Sequence, residues 1–152
     1  MDKTDKKLLD ILQNDATLSV GAMAEAVHLS TTACWKRIQN LEERGVIRKR
    51  VALLDPAQLK LGMTVFVTVK TNHHDLQWLQ AFSQVVRDMP EVVEFYRMSG
   101  EVDYLLRIVV PDIQAYDQVY KRLIKDTRLS DVSSSFAMEE LKNTTALPLD
   151  FV

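Results

Sequence analysis

The fold of this chain is decided by residues 30–47, STTACWKRIQNLEERGVI. Ser30 suits an N-cap, because its hydroxyl can accept a hydrogen bond from an N–H group of the first helical turn. The apolar residues that follow at helical spacing form a narrow stripe of Cys34, Ile38 and Leu41. Gly45 is the residue type that commonly follows a helix end. The stretch therefore predicts one amphipathic helix that begins after Ser30 and ends before Gly45.

The opposite face of this helix, together with the basic segment after it, carries side chains of the kind that contact base edges and phosphates. When such a helix enters the major groove, its N-terminal residues lie nearest the bases. The candidate DNA-contacting residues are Ser30, Thr31, Thr32, Trp35, Lys36, Arg37, Gln39, Asn40, Lys49 and Arg50. An ordinary solvated surface is the alternative, and Trp35 fits a DNA contact, the core or a dimer contact equally well.

The residues before this helix predict two further helices. Thr4 or Asp5 can cap the first, and Ser19 can cap a short second one. Residues 28–29 connect the second helix tightly to the third, and three helices with so short a link predict a helix-turn-helix. Residues 46–54 are basic and rich in β-branched and apolar side chains, which predicts a strand or wing after the third helix.

Composition sets the class of protein. The chain has 152 residues, of which 47% are hydrophobic and 26% charged, as in soluble globular proteins. Its formal net charge is −2, but residues 1–50 carry nine Lys or Arg against seven Asp or Glu, so basic charge lies near the predicted DNA contacts. No apolar run is long enough to cross a membrane, no leader for export is evident, and a single cysteine suits a reducing cytoplasm.

From residue 57 the apolar pattern changes from helical spacing to alternation. The predicted elements are strands over residues 63–70, 92–98, 102–110 and 131–141, with helices over residues 76–89 and after residue 112. The order βαββαβ predicts a ferredoxin-like antiparallel sheet with both helices on one face. Apolar residues occur at both parities of the third strand, so we expect a second copy of the chain to cover the other face.

The predicted organisation is therefore an α+β chain of two domains. A winged helix-turn-helix domain is expected over residues 1–50, a linker strand over residues 51–61 and the ferredoxin-like βαββαβ sandwich over residues 62–152. In the latter, a glycine turn at residues 100–104 and three serines at residues 133–135 could bind a small zwitterion, with Asp103 holding its ammonium group. A plain hairpin turn beside a polar sheet face explains the same residues.

Metal binding and catalysis are not predicted. The adjacent histidines His73 and His74 point apart in a loop, His28 lies in a connection, and none has a second ligand at useful spacing. Cys34, on the buried stripe, suits a small buried hydrophobe better than a redox switch. The chain lacks a nucleophile–base pattern and the common nucleotide-binding and zinc-protease motifs, so neither an enzyme nor a cofactor is expected.

Taken together, these residues resemble the leucine-responsive and asparagine-responsive (Lrp/AsnC) regulator family of bacteria and archaea, along nearly the whole chain. The DNA-binding half of that family is matched by DKKLLDILQ at residues 5–13, LS at residues 29–30 and RIQNLEERGVI at residues 37–47. Its regulatory half is matched by SGEVDYLL at residues 99–106 and by a fourth strand that runs into MEELK at residues 138–142. The order and spacing of these motifs carry the resemblance.

The resemblance implies a cytoplasmic, nucleoid-associated regulator that binds double-stranded promoter DNA. It implies a homodimer that assembles further to tetramers or octamers, and an amino acid effector bound between the regulatory domains of adjacent dimers. The small side chains expected around the effector suggest that it is apolar or sulfur-containing. The implied effector-binding residues are Met98, Gly100, Glu101, Val102, Asp103, Tyr104, Ser133, Ser135 and Ala137. The alternative is an architectural nucleoid protein that bends or wraps DNA without an effector.

Overall fold

The computed structural model of the chain describes residues 1–73, 75–125 and 129–152. Its two compact units are Met1–Leu53 with Leu141–Val152, and Leu54–Glu140. The predicted second domain extended to residue 152, whereas the structure groups the C-terminal segment with the helices at the start of the chain. The link is a pair of hydrogen bonds, because the Gln13 side-chain amide accepts from the N–H of Leu147 (2.9 Å) and donates to its carbonyl (3.1 Å).

The first unit begins with α1, Lys3–Asn14. Its N-cap is Asp2 rather than the predicted Thr4 or Asp5. Asp2 Oδ1 accepts from the N–H of Asp5 (2.8 Å), and Asp5 Oδ2 accepts from the N–H of Asp2 (3.3 Å). Two acidic side chains three residues apart thus satisfy two N–H groups reciprocally, and this pairing moves the helix start toward the N-terminus.

The helix-turn-helix is formed by α2, Val20–Ala26, and α3, Thr31–Glu43. Ser19 and Ser30 cap the two helices as predicted, because each hydroxyl accepts from the N–H three residues further on (3.1 and 3.3 Å). Gly45 follows α3 with φ of +70°, the left-handed conformation expected at that position. The predicted bounds of this helix are confirmed.

The turn between α2 and α3 depends on His28, which has φ of +57°. The next residue, Leu29, donates its N–H to the carbonyl of Ala24 (2.9 Å) and closes the turn. The prediction of a connecting role for His28 is confirmed. The core beneath the three helices is small, and its buried members are Leu8, Met23, Ala24, Val27, Cys34 and Ile38.

The strand predicted after α3 is not formed. Residues 46–55 contain no strand, and residues 56–60 form a turn closed by a hydrogen bond from Leu61 N to the carbonyl of Pro56 (2.8 Å). The predicted linker strand over residues 51–61 is wrong for the same reason. A strand needs a neighbour for its N–H and C=O groups, and none of the described strands pairs with this segment.

The second unit has the predicted order of elements. They are β1 (Met63–Lys70), α4 (Leu76–Arg87), β2 (Val92–Arg97), β3 (Tyr104–Val110), α5 (Ile113–Lys125) and β4 (Asp131–Phe136). The strands form one antiparallel sheet in the spatial order β2-β3-β1-β4, so β1 and β3 are central. This is the strand order of the ferredoxin-like fold, and the predicted α+β fold class is confirmed.

Three strands are shorter than predicted, and the first of them, β2, ends at Arg97 rather than at residue 98. β3 begins at Tyr104 rather than at residue 102, and β4 ends at Phe136 rather than at residue 141. The length of β1 sets the limit of β4, because Val65 pairs with Phe136 and the N–H of Ala137 then donates to the carbonyl of Thr64 (2.9 Å) near the start of β1.

The two helices pack on one face of the sheet. Val65, Val67 and Val69 of β1 are completely buried there, and Phe82 of α4 and Leu123 of α5 lie in the same core. The alternate residues form the other face, which we call the open sheet face: Thr64, Phe66, Thr68, Lys70, Glu94, Tyr96, Leu105, Arg107, Val109, Asp131, Ser133 and Ser135. That a second copy covers it stays a prediction.

Substitution of His28 tests the turn of the helix-turn-helix. A β-branched residue is strained at positive φ, so we expect His28→Val to lower the free energy of unfolding by about 1–2 kcal/mol. His28→Gly removes the steric conflict and should leave stability nearly unchanged. Thermal unfolding followed by circular dichroism measures both variants. A valine variant as stable as the glycine variant would contradict the left-handed turn.

Candidate nucleic-acid interface and ligand site

The N-terminal half of α3 presents an exposed surface. Thr31, Thr32 and Lys36 are exposed, and Trp35 has 51% of its surface accessible. Together with Val20 of α2, the two threonines and Trp35 line an open concavity of about 260 Å³. The core alternative for Trp35 is therefore wrong, whereas a DNA contact and a partner contact both suit its exposure. Val20 was missed, because its helical spacing alone does not separate a core residue from one at a rim.

The C-terminal half of α3 uses its polar groups internally. Gln39 Nε2 donates to Glu42 Oε2 (3.0 Å), and Arg50 donates to Glu42 Oε1 (2.7 Å). The Asn40 side-chain carbonyl accepts from Arg44 at a long 3.4 Å. These predicted DNA contacts therefore already have partners in the free chain, whereas Lys36 and Lys49 form no ion pair with any residue that the structure describes.

Arg37 connects α3 to the start of α1. Its guanidinium donates to Asp2 Oδ2 and to Asp5 Oδ1, both at 2.7 Å. The N–H of Asp5 and then the Arg37 guanidinium lower the pKa of Asp2, and the two carboxylates raise the pKa of Arg37. The sequence placed Arg37 among the candidate DNA-contacting residues, and the structure gives its charged head two neutralising partners. The spacing of Asp2 and Asp5, three residues apart, was the feature of the sequence that could have indicated their shared contact with Arg37.

The glycine turn between β2 and β3 is held by backbone hydrogen bonds and one carboxylate. Gly100 has φ of +118°, which requires a glycine. Asp103 Oδ2 accepts from the N–H of Thr71 (2.8 Å), and the N–H of Asp103 donates to the carbonyl of Val69 (2.9 Å). Asp103 therefore fixes the turn to the end of β1, and only part of its hydrogen-bonding capacity is left for an ammonium group.

Tyr104 lies on the helix side of the sheet. It is buried in an aromatic cluster with ring centroids 6.0 Å from Trp78, 5.3 Å from Phe82 and 5.7 Å from Phe95. Burial raises the pKa of its hydroxyl. Of the predicted effector-binding residues, Tyr104 thus supports the turn from beneath, whereas Met98, Gly100 and Glu101 are exposed above it.

The serines of β4 divide between the two faces. Ser133 and Ser135 are exposed on the open sheet face opposite Thr68 and Phe66 of β1. Ser134 points to the helix side, where its hydroxyl is hydrogen-bonded to that of Tyr116. The alternation of a strand separates these hydroxyls, so the three serines do not form one cluster.

The candidate effector-binding residues do not converge within one chain. The glycine turn and Ser133 lie near the same end of the sheet, since Tyr104 pairs with Val69 and Ser133 with Thr68. Ala137 lies beside Thr64, at the opposite end of β1. Groups so distributed cannot all contact one small molecule within a single chain.

The remaining expectations concern metals, cysteine and membranes. Among the described residues no group of three or more His, Cys, Asp or Glu is arranged to hold a metal ion, and His74 lies outside those residues. Cys34 is buried, and burial raises the pKa of its thiol. Of the helices in the described ranges, none combines the length and the apolar character that crossing a bilayer demands.

Comparison with known proteins agrees with both halves of the structure. Residues 1–48 match a winged helix-turn-helix DNA-binding family, and residues 64–147 match the Lrp/AsnC ligand binding domain. The chain is 54% identical over 151 residues to the DNA-binding transcriptional activator DecR of Escherichia coli, with 99% of each chain covered. It is 50% identical over 149 residues to the glutamate uptake regulatory protein of Zymomonas mobilis, covering 98% of this chain and 91% of that protein.

Solved structures show the same fold over the full length. An AsnC family transcriptional regulator from Agrobacterium tumefaciens superposes with a TM-score of 0.96 at 61% identity, covering 99% of both chains. The L-methionine complex of a Neisseria meningitidis transcriptional regulator superposes with a TM-score of 0.93 at 34% identity, covering 99% of this chain and 98% of that one.

The capped helix-turn-helix and the ferredoxin-like ligand-binding domain define a DNA-binding transcriptional regulator of two domains. More particularly, the chain belongs to the Lrp/AsnC family of transcriptional regulators.

Removal of the Lys36 charge tests the placement of α3 on DNA. We expect Lys36→Met to weaken binding to a mixed-sequence duplex and to lower the salt slope of log K by about 0.9, because one phosphate contact is lost. Fluorescence anisotropy over a salt series measures both quantities. The control is Lys121→Met, whose ammonium group pairs with Asp117 on α5 (2.5 Å) and should not affect DNA binding. Equal effects of the two variants would contradict this interface.

The Asp2–Arg37 pair predicts an effect of pH on stability. When folding lowers the pKa of a carboxyl, the ionised carboxylate stabilises the folded protein at pH values above its ordinary pKa of 3.8. This contribution is lost as the pH falls through the lower pKa of the folded state. Asp2→Asn should therefore be less stable than wild type at neutral pH, and the difference should shrink below about pH 4. Urea unfolding at several pH values measures it. A difference that does not change with pH would show that the charge of Asp2 is not responsible.

Proposed function

We propose that this regulator inserts the N-terminal half of α3 into the major groove of promoter DNA and responds to an amino acid bound between its regulatory domains. The observation that carries the DNA part is the exposure of Thr31, Thr32 and Trp35 around one concavity, with Lys36 exposed next to Trp35 on the same helix. The hydroxyls and the indole offer hydrogen bonds and apolar contacts to base edges, and Lys36 and Lys49 offer charge to phosphates. Ser30 contributes as the cap that orders this end of the helix.

In this proposal, the residues that already have partners within the chain contribute less to DNA affinity. Gln39, Asn40, Arg37 and Arg50 are already hydrogen-bonded in the free chain. Exchanging those partners for DNA costs the bonds that are broken, so their net contribution to affinity is small. We therefore assign the larger share of binding free energy to Thr31, Thr32, Trp35 and Lys36.

For the effector we propose an amino acid that is apolar or sulfur-containing. Support comes from the Neisseria meningitidis relative, whose structure is a complex with L-methionine. In this chain the backbone N–H groups of Gly100, Glu101 and Val102 and the hydroxyls of Ser133 and Ser135 offer donors for a carboxylate. Asp103 Oδ1 offers an acceptor for an ammonium group, and Met98 and Ala137 offer apolar surface. Because these groups lie apart in one chain, the site would be completed by another copy.

We further propose that the chain forms a homodimer through the open sheet face and assembles to a tetramer or octamer of chains. Phe66 and Tyr96 are 39% and 51% exposed on that face, and Leu105 and Val109 are half-buried beside them. Apolar surface of this kind is typical of a face that a partner covers. We also propose that the protein acts at the nucleoid in the cytoplasm and catalyses no reaction, which its similarity to a DNA-binding transcriptional activator supports.

A thermal-shift screen against the twenty common amino acids tests effector binding. A ligand at 100 times its dissociation constant stabilises the folded state by about 2.7 kcal/mol, so a rise of several degrees is expected for one or two related amino acids. Ser133→Ala should reduce the rise, and Ser83→Ala on α4 is the matched control. No shift with any amino acid would favour an architectural nucleoid protein that bends or wraps DNA without an effector.

A further inference from the structure

A charged pair lies within the open sheet face. Glu94 Oε1 accepts from both Nε (2.9 Å) and a terminal nitrogen (2.7 Å) of Arg107. The hydroxyl of Tyr96 donates to the other carboxylate oxygen of Glu94 (3.3 Å). The side chains of Arg107 and Glu94 are 28% and 38% exposed, so this network is partly desolvated before anything covers it.

An irregularity in β2 puts Glu94 on this face. Val92 pairs with Ile108 and Glu94 with Arg107, so Val93 is an extra residue in the ladder. Without that bulge, Glu94 would share the parity of Val92 and point to the helix side, where Ile108 is completely buried. A bulge that redirects one side chain is usually a functional feature of a sheet rather than a defect.

The surroundings of the pair are apolar and hydroxylated. Phe66 of β1 is the direct cross-strand neighbour of Arg107, and Leu105 and Val109 flank Arg107 along β3. Thr64, Thr68, Ser133 and Ser135 supply hydroxyls on the same face. An exposed ion pair contributes little to the stability of a single chain. When a partner covers the pair, the removal of water costs free energy. Only a partner with matching polar groups can compensate for that cost, which makes the pair selective.

We propose that the Glu94–Arg107 pair determines the specificity of self-association through the open sheet face, an inference that rests on the proposed homodimer. Only some of the N–H groups of Arg107 are used within the chain, and the rest need acceptors once water is excluded. A purely apolar partner offers none, whereas a second copy brings its own carboxylate and hydroxyls. The face carries two acids, Glu94 and Asp131, and two bases, Lys70 and Arg107, so it is electrically neutral and can be self-complementary, as a twofold interface requires.

Dimer dissociation constants of the full chain test this role. We compare wild type with Glu94→Gln, Arg107→Met and the double variant by dilution of labelled protein and by sedimentation velocity. Each single variant leaves one unpaired charge in the covered face and should weaken the dimer at least about tenfold, whereas the double variant should recover most of the loss. Asp117→Asn, which breaks the exposed pair with Lys121, is the matched control and should leave the constant unchanged.

The outcomes separate this inference from the proposed homodimer. Phe66→Glu should produce a monomer if the open sheet face is the interface, and a dimeric Phe66→Glu protein would overturn the homodimer proposal. A monomeric Phe66→Glu together with single pair variants that dimerise like wild type would overturn the specificity role alone. The specificity role would also be overturned if the double variant weakened the dimer by the sum of the two single-variant effects.

A variant with the two charges exchanged keeps the proposal testable if a single substitution prevents folding. If circular dichroism shows that a single substitution unfolds the chain, Glu94→Arg with Arg107→Glu re-forms the pair with opposite polarity. We expect this protein to dimerise within about tenfold of wild type, because the face stays neutral and paired. A folded reversed variant that remains monomeric at concentrations where wild type is dimeric would overturn the proposal.

Discussion

The second unit depends on the burial of one face of β1. Val65, Val67 and Val69 have no exposed surface, and β1 pairs with β3 on one side and β4 on the other. Because side chains alternate along a strand, burying these valines fixes the intermediate residues Phe66 and Thr68 on the opposite face. The residues of β3 and β4 that pair with β1 alternate between the two faces in the same way. Packing of two helices against the sheet therefore creates the surface that we assign to self-association.

The first unit is ordered in a different way, by local polar groups around a small core. Asp2, Ser19 and Ser30 cap the three helices, and the left-handed His28 sets the turn between the last two. Arg37 then ties α3 to the start of α1 through two carboxylates. These contacts employ one side of α3. Among the residues that the structure describes, none forms a side-chain hydrogen bond or ion pair with the side chains of Thr31, Thr32, Trp35 or Lys36, so these four are available for contact with another molecule.

The sequence was sufficient for most local signals, although it placed the cap of α1 at Thr4 or Asp5 rather than at Asp2. The bounds of α3 followed from its cap and glycine, and the strand order followed from the change of periodicity. It was insufficient where the answer depends on a partner distant in sequence. Residues 46–61 have strand-forming composition but no neighbouring strand, Arg37 pairs with residues more than thirty positions away, and the bulge at Val93 leaves no trace in the apolar pattern. The ligand site that we propose would need groups from more than one copy, and the spacing of residues in one chain does not encode such a site.

The hydrogen bonds between Gln13 and Leu147 make the first unit discontinuous along the polypeptide. During translation the three helices emerge first, the entire second unit follows, and only then does the segment that completes the first unit leave the ribosome. Throughout this interval the Gln13 amide lacks its Leu147 partner. The helices that carry the DNA-binding surface are thus made first and completed last, and a chain released early from the ribosome would have those helices without their final contact.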